Sequence, residues 1–253
     1  MGILFDPNKI FVGISQPIQL NKNSRTSFGN STKFDSFQNN SVTRYFDENV
    51  IRNLIAQNPV LSMLLASNKI PVRLNMKELE ELKNGHCKDT QEICAKIAKN
   101  LPPSLRSDVD MAILKDGAML HDIGKVLIPP EILNKQGLLT KEEHDIMDLH
   151  SEIGYQLLKN TGINSNILNL VRYHHSVQKS KNYIPDINLE ILNLADMYSA
   201  LTEKRVYKDA YTPQQALTIL YKDVQNGNID SQVYYALVKS VSESDVKNNV
   251  KIS

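Results

Sequence analysis

The chain has 253 residues, 41% of them hydrophobic, so it can bury a substantial core without disulfides or structural metals. Twenty-nine Lys and Arg against 28 Asp and Glu leave a formal charge of +1. This near neutrality excludes a charged field over the whole surface that would attract a nucleic-acid polymer or an anionic membrane. An anionic substrate must therefore be bound by local groups.

The cysteines and the N-terminus indicate a soluble, cytoplasmic protein. Cys87 and Cys94 would lie about 10 Å apart along one helix, which is too far for a disulfide, so we expect reduced and partly buried thiols. Asp6 and Pro7 interrupt the apolar N-terminus, which also lacks the basic start of a signal peptide. No apolar run approaches the roughly 18 residues that a membrane-spanning helix requires.

Three regions follow from composition and pattern. Residues 1–45 are predicted to be a flexible or weakly ordered tail, since residues 21–40 are rich in Asn and Ser and poor in branched aliphatics. Residues 46–80 are predicted to be a short helical segment, with Asn58 as an N-cap before Pro59. This segment could cap the main domain or contribute to a homodimer contact. The main domain is assigned to residues 81–253.

The main domain is predicted to begin with a helix from about Asn84 that carries His86 in its first turn. The buried face of this helix is indicated by residues that recur at helical spacing: Thr90, Ile93, Cys94, Ile97 and Leu101.

The next helix is predicted to start at Ser107 and to deliver His121 and Asp122 at its end, because Gly124 is placed to stop it. Its buried residues are expected to be Met111, Leu114 and Ala118. After a loop with two prolines, Thr140 and Glu143 have capping-box spacing. The helix that they open has an apolar stripe that includes His150, which is therefore expected to point inward.

Two further core helices and a later one complete the pattern. The first ends with the pair His174 and His175, and the second carries Asp196 on its apolar side. Thr212, followed by proline, opens a helix that ends before Gly227. No alternating strand pattern competes with these helices, so the sequence predicts an all-α helical bundle.

Histidines and aspartates recur at inward faces and helix ends, and this pattern predicts a metal site. A single histidine on an apolar face is more often a hydrogen-bonded core residue, but every histidine of the chain except His144 joins the pattern, and His144 is predicted to lie at the surface. Imidazole and carboxylate together suit Mn, Fe, Co or Zn, whereas Mg and Ca prefer oxygen ligands. A carboxylate beside a histidine, as in His121 and Asp122, can bridge two metals.

The order of these motifs resembles the HD superfamily of metal-dependent phosphohydrolases, and within it the HD-GYP phosphodiesterases that act on cyclic di-GMP in bacterial signalling. The resemblance covers roughly residues 82–224. It is most specific in LHDIGKVLIPPEILNKQGLLTKEEHDIMDLHSEIGYQLL, residues 120–158, and it continues in ADMYSALTEKRVYKDA, residues 195–210. It implies an HD-domain helical bundle with a dinuclear metal site in its core.

The resemblance also implies roles for individual residues. One metal would be held by His86, His121, Asp122 and Asp196, and the other by Asp122, His150, His174 and His175. The two divalent ions are expected to be Fe or Mn, with Zn, Co or Ni as alternatives. Asp122 and Lys125 are the expected catalytic residues, with Lys125 near the substrate phosphate, and Arg205 and Lys208 match positions that contact the ligand's phosphates.

The sequence departs from the HD-GYP pattern after the histidine pair. Ser176 replaces a glutamate, the glycines of the following loop are missing, and only Tyr183 and Pro185 resemble it. Leu82 stands where trinuclear members have a glutamate, which favours two metals over three. The expected reaction is hydrolysis of cyclic di-GMP or a related cyclic dinucleotide by a hydroxide formed between the two metals.

Two alternatives stay open on these observations. One is hydrolysis of another nucleotide, such as a linear dinucleotide, a nucleoside monophosphate or (p)ppGpp, because a fold does not select a substrate. The other is a catalytically silent module that binds a nucleotide for regulation.

Overall fold

The structure is a computed structural model that describes residues 42–175, 186–203 and 210–250. This part of the chain contains helices and no strand, which confirms the predicted all-α architecture. The helices are α1 (Glu48–Ala56), α2 (Pro59–Ser67), α3 (Met76–Leu82), α4 (Lys88–Asn100), α5 (Pro103–Arg106), α6 (Met111–Leu120), α7 (Pro130–Leu133), α8 (Lys141–Leu158), α9 (Ser165–Tyr173), α10 (Ile187–Thr202), α11 (Pro213–Gln225) and α12 (Ser231–Val250). Two 3₁₀ helices, Val42–Phe46 and Ile123–Leu127, and a π turn, Lys83–Cys87, complete the described elements. Of the predicted tail, residues 1–41 lie outside the described residues. Residues 42–45 are not a tail, because they belong to a 3₁₀ helix whose Tyr45 is buried in the core.

Local capping signals place several of these helices where the sequence predicts them. The side chain of Asn58 accepts a hydrogen bond from the backbone N–H of Leu61 at 3.0 Å, and proline is the first residue of α2. Thr140 and Glu143 form the predicted capping box of α8. Thr212 opens α11 with a capping box of its own. Each of these contacts satisfies N–H groups that a helix start leaves without an intrahelical partner.

The helix that carries His86 begins earlier than predicted. The chain is helical from Met76 through α3, the π turn and α4, so His86 lies in the middle of a long helix and not in its first turn. Asn75, just before the start, donates from its backbone N–H to the carbonyl of Val126 at 2.9 Å and from its side chain to the carbonyl of Ile128. Because these partners are distant in sequence, the start of α3 is fixed by a tertiary contact.

Helix α6 also begins away from its predicted start. Asp110 is its N-cap and accepts hydrogen bonds from two backbone N–H groups of the first turn, whereas Ser107 lies at the end of the short helix α5. Met111 is 36% exposed, so its predicted burial is wrong, while Leu114 and Ala118 are fully buried as predicted. The aspartate cap shifts the start and places Met111 at the outer edge of the helix.

Helix α4 lies at the centre of the bundle, where it packs against α6, α10 and α12. Helix α9 packs against both α6 and α8. Helices α1 and α2 pack on the other side of α8, where the side chain of Asn58 donates to the carbonyl of Gln156 at 2.6 Å. One continuous apolar cluster runs from Tyr45 to Leu237. Helix α8 is therefore held between the N-terminal helices and α9.

Gly124 is a close-packing position, which corrects its predicted role as a helix stop. It lies in the 3₁₀ helix that follows Asp122, and it is not among the described glycines with positive φ. A Cβ atom at Gly124 would overlap the backbone carbonyl of His150 and crowd the backbone nitrogen of Gly154. The missing side chain lets the 3₁₀ helix lie directly on α8. This contact brings Asp122 to His150.

The two cysteines are free thiols, as predicted, and both are completely buried. Burial raises the pKa of the thiols of Cys87 and Cys94, so neither is a ready nucleophile. Within the described residues, no helix is both long and apolar enough to cross a membrane.

Candidate metal centre

All the predicted metal ligands meet at the junction of five helical elements. His86 comes from the π turn, and His121 and Asp122 follow α6. The other elements contribute His150 from α8, His174 and His175 after α9, and Asp196 from α10. All of these residues except His175 are buried. Their donor atoms form overlapping groups of three within 4.8 Å that could hold a metal ion.

The carboxylate of Asp122 lies between two sets of imidazoles. Its Oδ2 is 3.6 Å from Nε2 of His86 and 3.4 Å from Nε2 of His121. Its Oδ1 is 3.3 Å from Nε2 of His150 and 3.9 Å from Nε2 of His174. Each oxygen therefore faces a different half of the cluster, as a bridging ligand requires.

Asp196 and His175 connect the two halves at their edge. Oδ1 of Asp196 lies 2.9 Å from Nε2 of His86 and 3.7 Å from Nε2 of His121. Its Oδ2 lies 3.9 Å from Nδ1 of His175, whose Nε2 is 3.1 Å from Nε2 of His150. The cluster is therefore one compact site with two adjoining ligand sets.

Three imidazoles take their orientation from their own helices. Nδ1 of His121, His150 and His174 lies 2.7, 2.6 and 2.8 Å from the backbone carbonyl of the residue three positions earlier. A carbonyl only accepts, so Nδ1 must be the protonated nitrogen that donates. In the neutral ring this leaves Nε2 unprotonated and aimed into the cluster, which is the form that binds metals.

Both carboxyl groups are ionised despite their burial. Burial alone would raise the pKa of Asp122, but the ammonium of Lys125 and the imidazole of His121 hold it well below its usual range. Burial would likewise raise the pKa of Asp196, but the neighbouring imidazoles of His121 and His86 lower it. The site therefore presents two fixed negative charges.

The imidazoles divide into two groups by charge. Burial, reinforced by His175, lowers the pKa of His150 to about 3. Burial also lowers the pKa of His174 and of His175. For His121 burial opposes the charged form as well, but the two neighbouring carboxylates raise its pKa to about 10. The half of the site around α8 and α9 is thus neutral, whereas the half around α6 and α10 carries the charged groups.

The donor set fits divalent metal ions. Buried polar atoms in proteins nearly always have hydrogen-bond partners, yet within the described residues Nε2 of His121 and Oδ1 of Asp122 have none. Both atoms point at the cluster, where a divalent cation would satisfy them. Metals bind ionised carboxylates and neutral imidazoles, so a bound cation would take the place of the proton that the two carboxylates hold on His121.

Lys125 lies at the edge of the cluster. It is in the 3₁₀ helix after Asp122, and its Nζ donates to Oδ2 of Asp122 at 2.6 Å. Its side chain is 17% exposed, so the ammonium borders both the buried site and solvent. This position is compatible with the predicted contact to a substrate phosphate.

The other predicted residues have different outcomes. Several lie outside the described residues: Arg205, Lys208, Ser176, Tyr183 and Pro185. His144 is exposed on α8, as predicted.

Sequence reasoning missed two residues beside His86. Oγ of Ser199 lies 3.3 Å from Nδ1 of His86, and Oε2 of Glu203 lies 3.8 Å from the same nitrogen. Both follow Asp196 at helical spacing, which places the three side chains on one face. That spacing could have indicated that both residues lie near the site, but polar residues on a solvent-exposed helix face have the same spacing.

Comparison with known proteins finds a matching family model and several similar phosphodiesterases. The HD domain family model matches residues 49–233, more than half of the chain. The cyclic di-GMP phosphodiesterase response regulator RpfG of Xanthomonas campestris is 36% identical over 126 residues, which are 46% of this chain and 33% of that protein. The 3'3'-cGAMP-specific phosphodiesterase 1 of Vibrio cholerae is 28% identical over 162 residues, which are 61% of this chain and 37% of that protein.

The chain therefore spans about a third of the length of these curated relatives. Among solved structures, the HD domain of the phosphodiesterase PgpH of L. monocytogenes aligns with a TM-score of 0.49 and 15% identity. That alignment covers 81% of this chain and 100% of the other.

Proposed function

The chain belongs to the HD domain family, and we propose that it is a metal-dependent phosphodiesterase that hydrolyses a cyclic dinucleotide, cyclic di-GMP first among them. The observation that carries this proposal is the position of Asp122. One oxygen of its carboxylate faces His86 and His121, and the other faces His150 and His174. A carboxylate shared between two ligand sets suits a pair of divalent cations.

This arrangement supports the following ligands for the two ions. One ion would be held by His86, His121, Asp122 and Asp196, and the other by Asp122, His150, His174 and His175. Mixed nitrogen and oxygen ligands suit Fe or Mn, with Zn, Co and Ni as alternatives. When bound, such a pair lowers the pKa of a water molecule and offsets negative charge on the phosphoryl oxygens.

The protein prepares this chemistry by fixing the ligands before substrate arrives. Backbone carbonyls orient His121, His150 and His174, so these imidazoles need little reorganisation during the reaction. Burial of Asp122 excludes bulk water from the carboxylate, which strengthens each electrostatic interaction there.

Lys125 would act in two ways. Its ammonium lowers the pKa of Asp122, against the effect of burial, and so keeps the bridging carboxylate ionised. Its partly exposed position also lets it donate to a non-bridging phosphoryl oxygen, where it would offset the charge that develops in the transition state.

The substrate class rests on the relatives and on the chemistry of the site. RpfG is named for cyclic di-GMP and the V. cholerae enzyme for 3'3'-cGAMP, and both ligands are cyclic dinucleotides. Because Ser176 replaces a glutamate and the following loop lacks its glycines, a different nucleotide remains the second candidate. Arg205 and Lys208 are proposed to contact the phosphates of whichever substrate binds.

The test is hydrolysis by anaerobically purified protein loaded with Mn²⁺ or Fe²⁺. Cyclic di-GMP, 3'3'-cGAMP, cyclic di-AMP and (p)ppGpp would be incubated separately and the products separated by chromatography. We expect water to add across one phosphodiester bond of a cyclic dinucleotide, which gives the linear dinucleotide. The Asp122→Asn variant, which keeps the side-chain shape without the charge, should form product far more slowly. Equal turnover by this variant would reject the mechanism, and tight binding without turnover of any nucleotide would favour a regulatory module.

A further inference from the structure

We propose that Ser199 and Glu203 are positioning residues that hold the proton of His86 on Nδ1, so that its Nε2 is presented to a metal ion. This inference rests on the proposed metal pair. It concerns how one ligand acquires its orientation and its tautomer, which a ligand list alone does not explain.

His86 differs from the other buried imidazoles of the site. The Nδ1 atoms of His121, His150 and His174 donate to carbonyls of their own helices. Within the described part of the chain, Nδ1 of His86 instead meets the side chains of Ser199 in α10 and of Glu203, the residue that caps the end of α10. His86 lies in the π turn, where the regular backbone hydrogen-bond pattern is altered. At His86 a tertiary contact thus takes the place that a backbone carbonyl has at the other three imidazoles, as the partner of Nδ1.

Helix α10 contacts both nitrogens of the His86 ring. Oδ1 of Asp196 lies 2.9 Å from Nε2, and Oγ of Ser199, one turn later, lies 3.3 Å from Nδ1. A metal ligand needs an unprotonated nitrogen, so the proton of the neutral ring must be on Nδ1 when Nε2 binds metal. Ser199 Oγ then accepts that N–H.

Ser199 and Glu203 contribute unequally. Ser199 is 3% exposed, so its contact is shielded from water. The carboxylate of Glu203 is farther from Nδ1, at 3.8 Å, and its side chain is 30% exposed. It lines a groove of about 240 Å³ together with Asp89, Glu92, Ile93, Lys96, Tyr198, Ser199 and Thr202. Its negative charge favours a proton on Nδ1, but solvent in the groove weakens the effect, so Ser199 should matter more.

The consequence is selective weakening of one metal position. Partners behind a metal-binding histidine typically contribute about 10-fold to 100-fold in metal affinity. Loss of the Ser199 hydroxyl should therefore weaken the ion held by His86 by about tenfold. The ion held by His150, His174 and His175 should be unchanged, because the ring nitrogen that Ser199 meets belongs to His86.

The test is a titration of metal-free protein with Mn²⁺, with free Mn²⁺ measured by electron paramagnetic resonance. The wild type should bind two ions. Ser199→Ala should weaken one of them by about tenfold, and Glu203→Gln should weaken the same ion by a smaller factor. Ser199→Thr keeps the hydroxyl and should restore affinity. Melting curves by circular dichroism should show that all variants remain folded.

Ser240→Ala is the matched control, because Ser240 is also buried but lies on α12 and bonds to Ala236. It should leave both ions unaffected. The inference is overturned if the Ser199→Ala, Glu203→Gln double variant binds both ions like the wild type, or if Ser199→Thr loses as much affinity as Ser199→Ala. A wild-type protein that binds no Mn²⁺ would overturn the metal pair and this inference together, whereas unchanged variants overturn the inference alone.

Discussion

The candidate metal centre has two halves that are built by different means, one on α8 and α9 and the other on the π turn, α6 and α10. His150 and His174 are oriented by carbonyls of their own helices, so local structure supplies their geometry. In the other half His121 is also oriented by its own helix, but His86 depends on α10, which is distant in sequence. Asp122 joins the halves. An imidazole oriented by its own helix should keep its orientation when distant residues change. The orientation of His86, in contrast, should respond to single substitutions in the side chains that contact its Nδ1.

The largest effect should come from Asp122, because it serves both halves. Asp122→Asn removes the shared charge, and we expect kcat to fall about a thousandfold, or about 4 kcal/mol of transition-state stabilisation. Both Mn²⁺ ions should bind more weakly in the same titration. If only one ion were weakened, Asp122 would belong to one half and would not bridge.

Gly124→Ala should push the 3₁₀ helix that follows Asp122 away from α8, and so move the two halves of the site apart. The added methyl group would meet the backbone of α8 at His150 and Gly154, and overpacking of this kind costs up to about 3 kcal/mol. The midpoint of urea denaturation should fall. Gly85→Ala is the matched control, because a Cβ there meets no atom within 4 Å, and it should not be destabilised. An equally stable Gly124→Ala variant would contradict the packing role of this glycine.

Lys125 should affect the reaction more than metal binding. Lys125→Met removes a charged donor that contributes about 2 kcal/mol, so we expect kcat to fall about 30-fold with two Mn²⁺ ions still bound. Lys125→Arg should retain part of the activity because the positive charge is kept. A change in KM with kcat unaltered would indicate that Lys125 only binds substrate.

The smallest effect should arise at the start of α10, where Glu190 is half-buried. Burial, followed by repulsion from Asp230 and Asp186, raises its pKa to about 7. Since the folded pKa exceeds the unfolded value, the protein loses stability as pH rises from about 4.5 to about 7. Glu190→Gln should remove this loss, which we expect to be under about 1 kcal/mol because solvent screens the group. Thermal melts at pH 5 and pH 8 would check it, and an equal pH dependence in wild type and variant would contradict the assignment.

Much of the fold and of the candidate site could be predicted from residue types and from patterns within a few residues. The capping box at Thr140 depends on a contact three residues away, and the helix start at Thr212 is marked by the proline that follows it, so the sequence alone identifies both. The buried face of α8 was predicted from the helical spacing of its apolar residues, and the same spacing predicted that His150 points inward. The pattern of histidines and aspartates predicted the set of residues that lies together in the structure.

The early start of α3 and the role of Gly124 could not be predicted from local patterns. Asn75 is fixed by carbonyls of the segment after Lys125, and nothing near Asn75 in the sequence indicates those partners. Gly124 followed a helix end, where glycine usually adopts a left-handed conformation, but its actual constraint is the backbone of α8.

The sequence by itself determined an all-helical chain, its main helix caps and the residues able to bind metal, because these depend on side-chain chemistry and short-range spacing. Only the tertiary structure decided which nitrogen of His86 faces the cluster, and which oxygen of Asp122 faces which histidines. Those choices arise from the contacts of His86 with α10 and of the 3₁₀ helix after Asp122 with α8, which join segments far apart in the sequence.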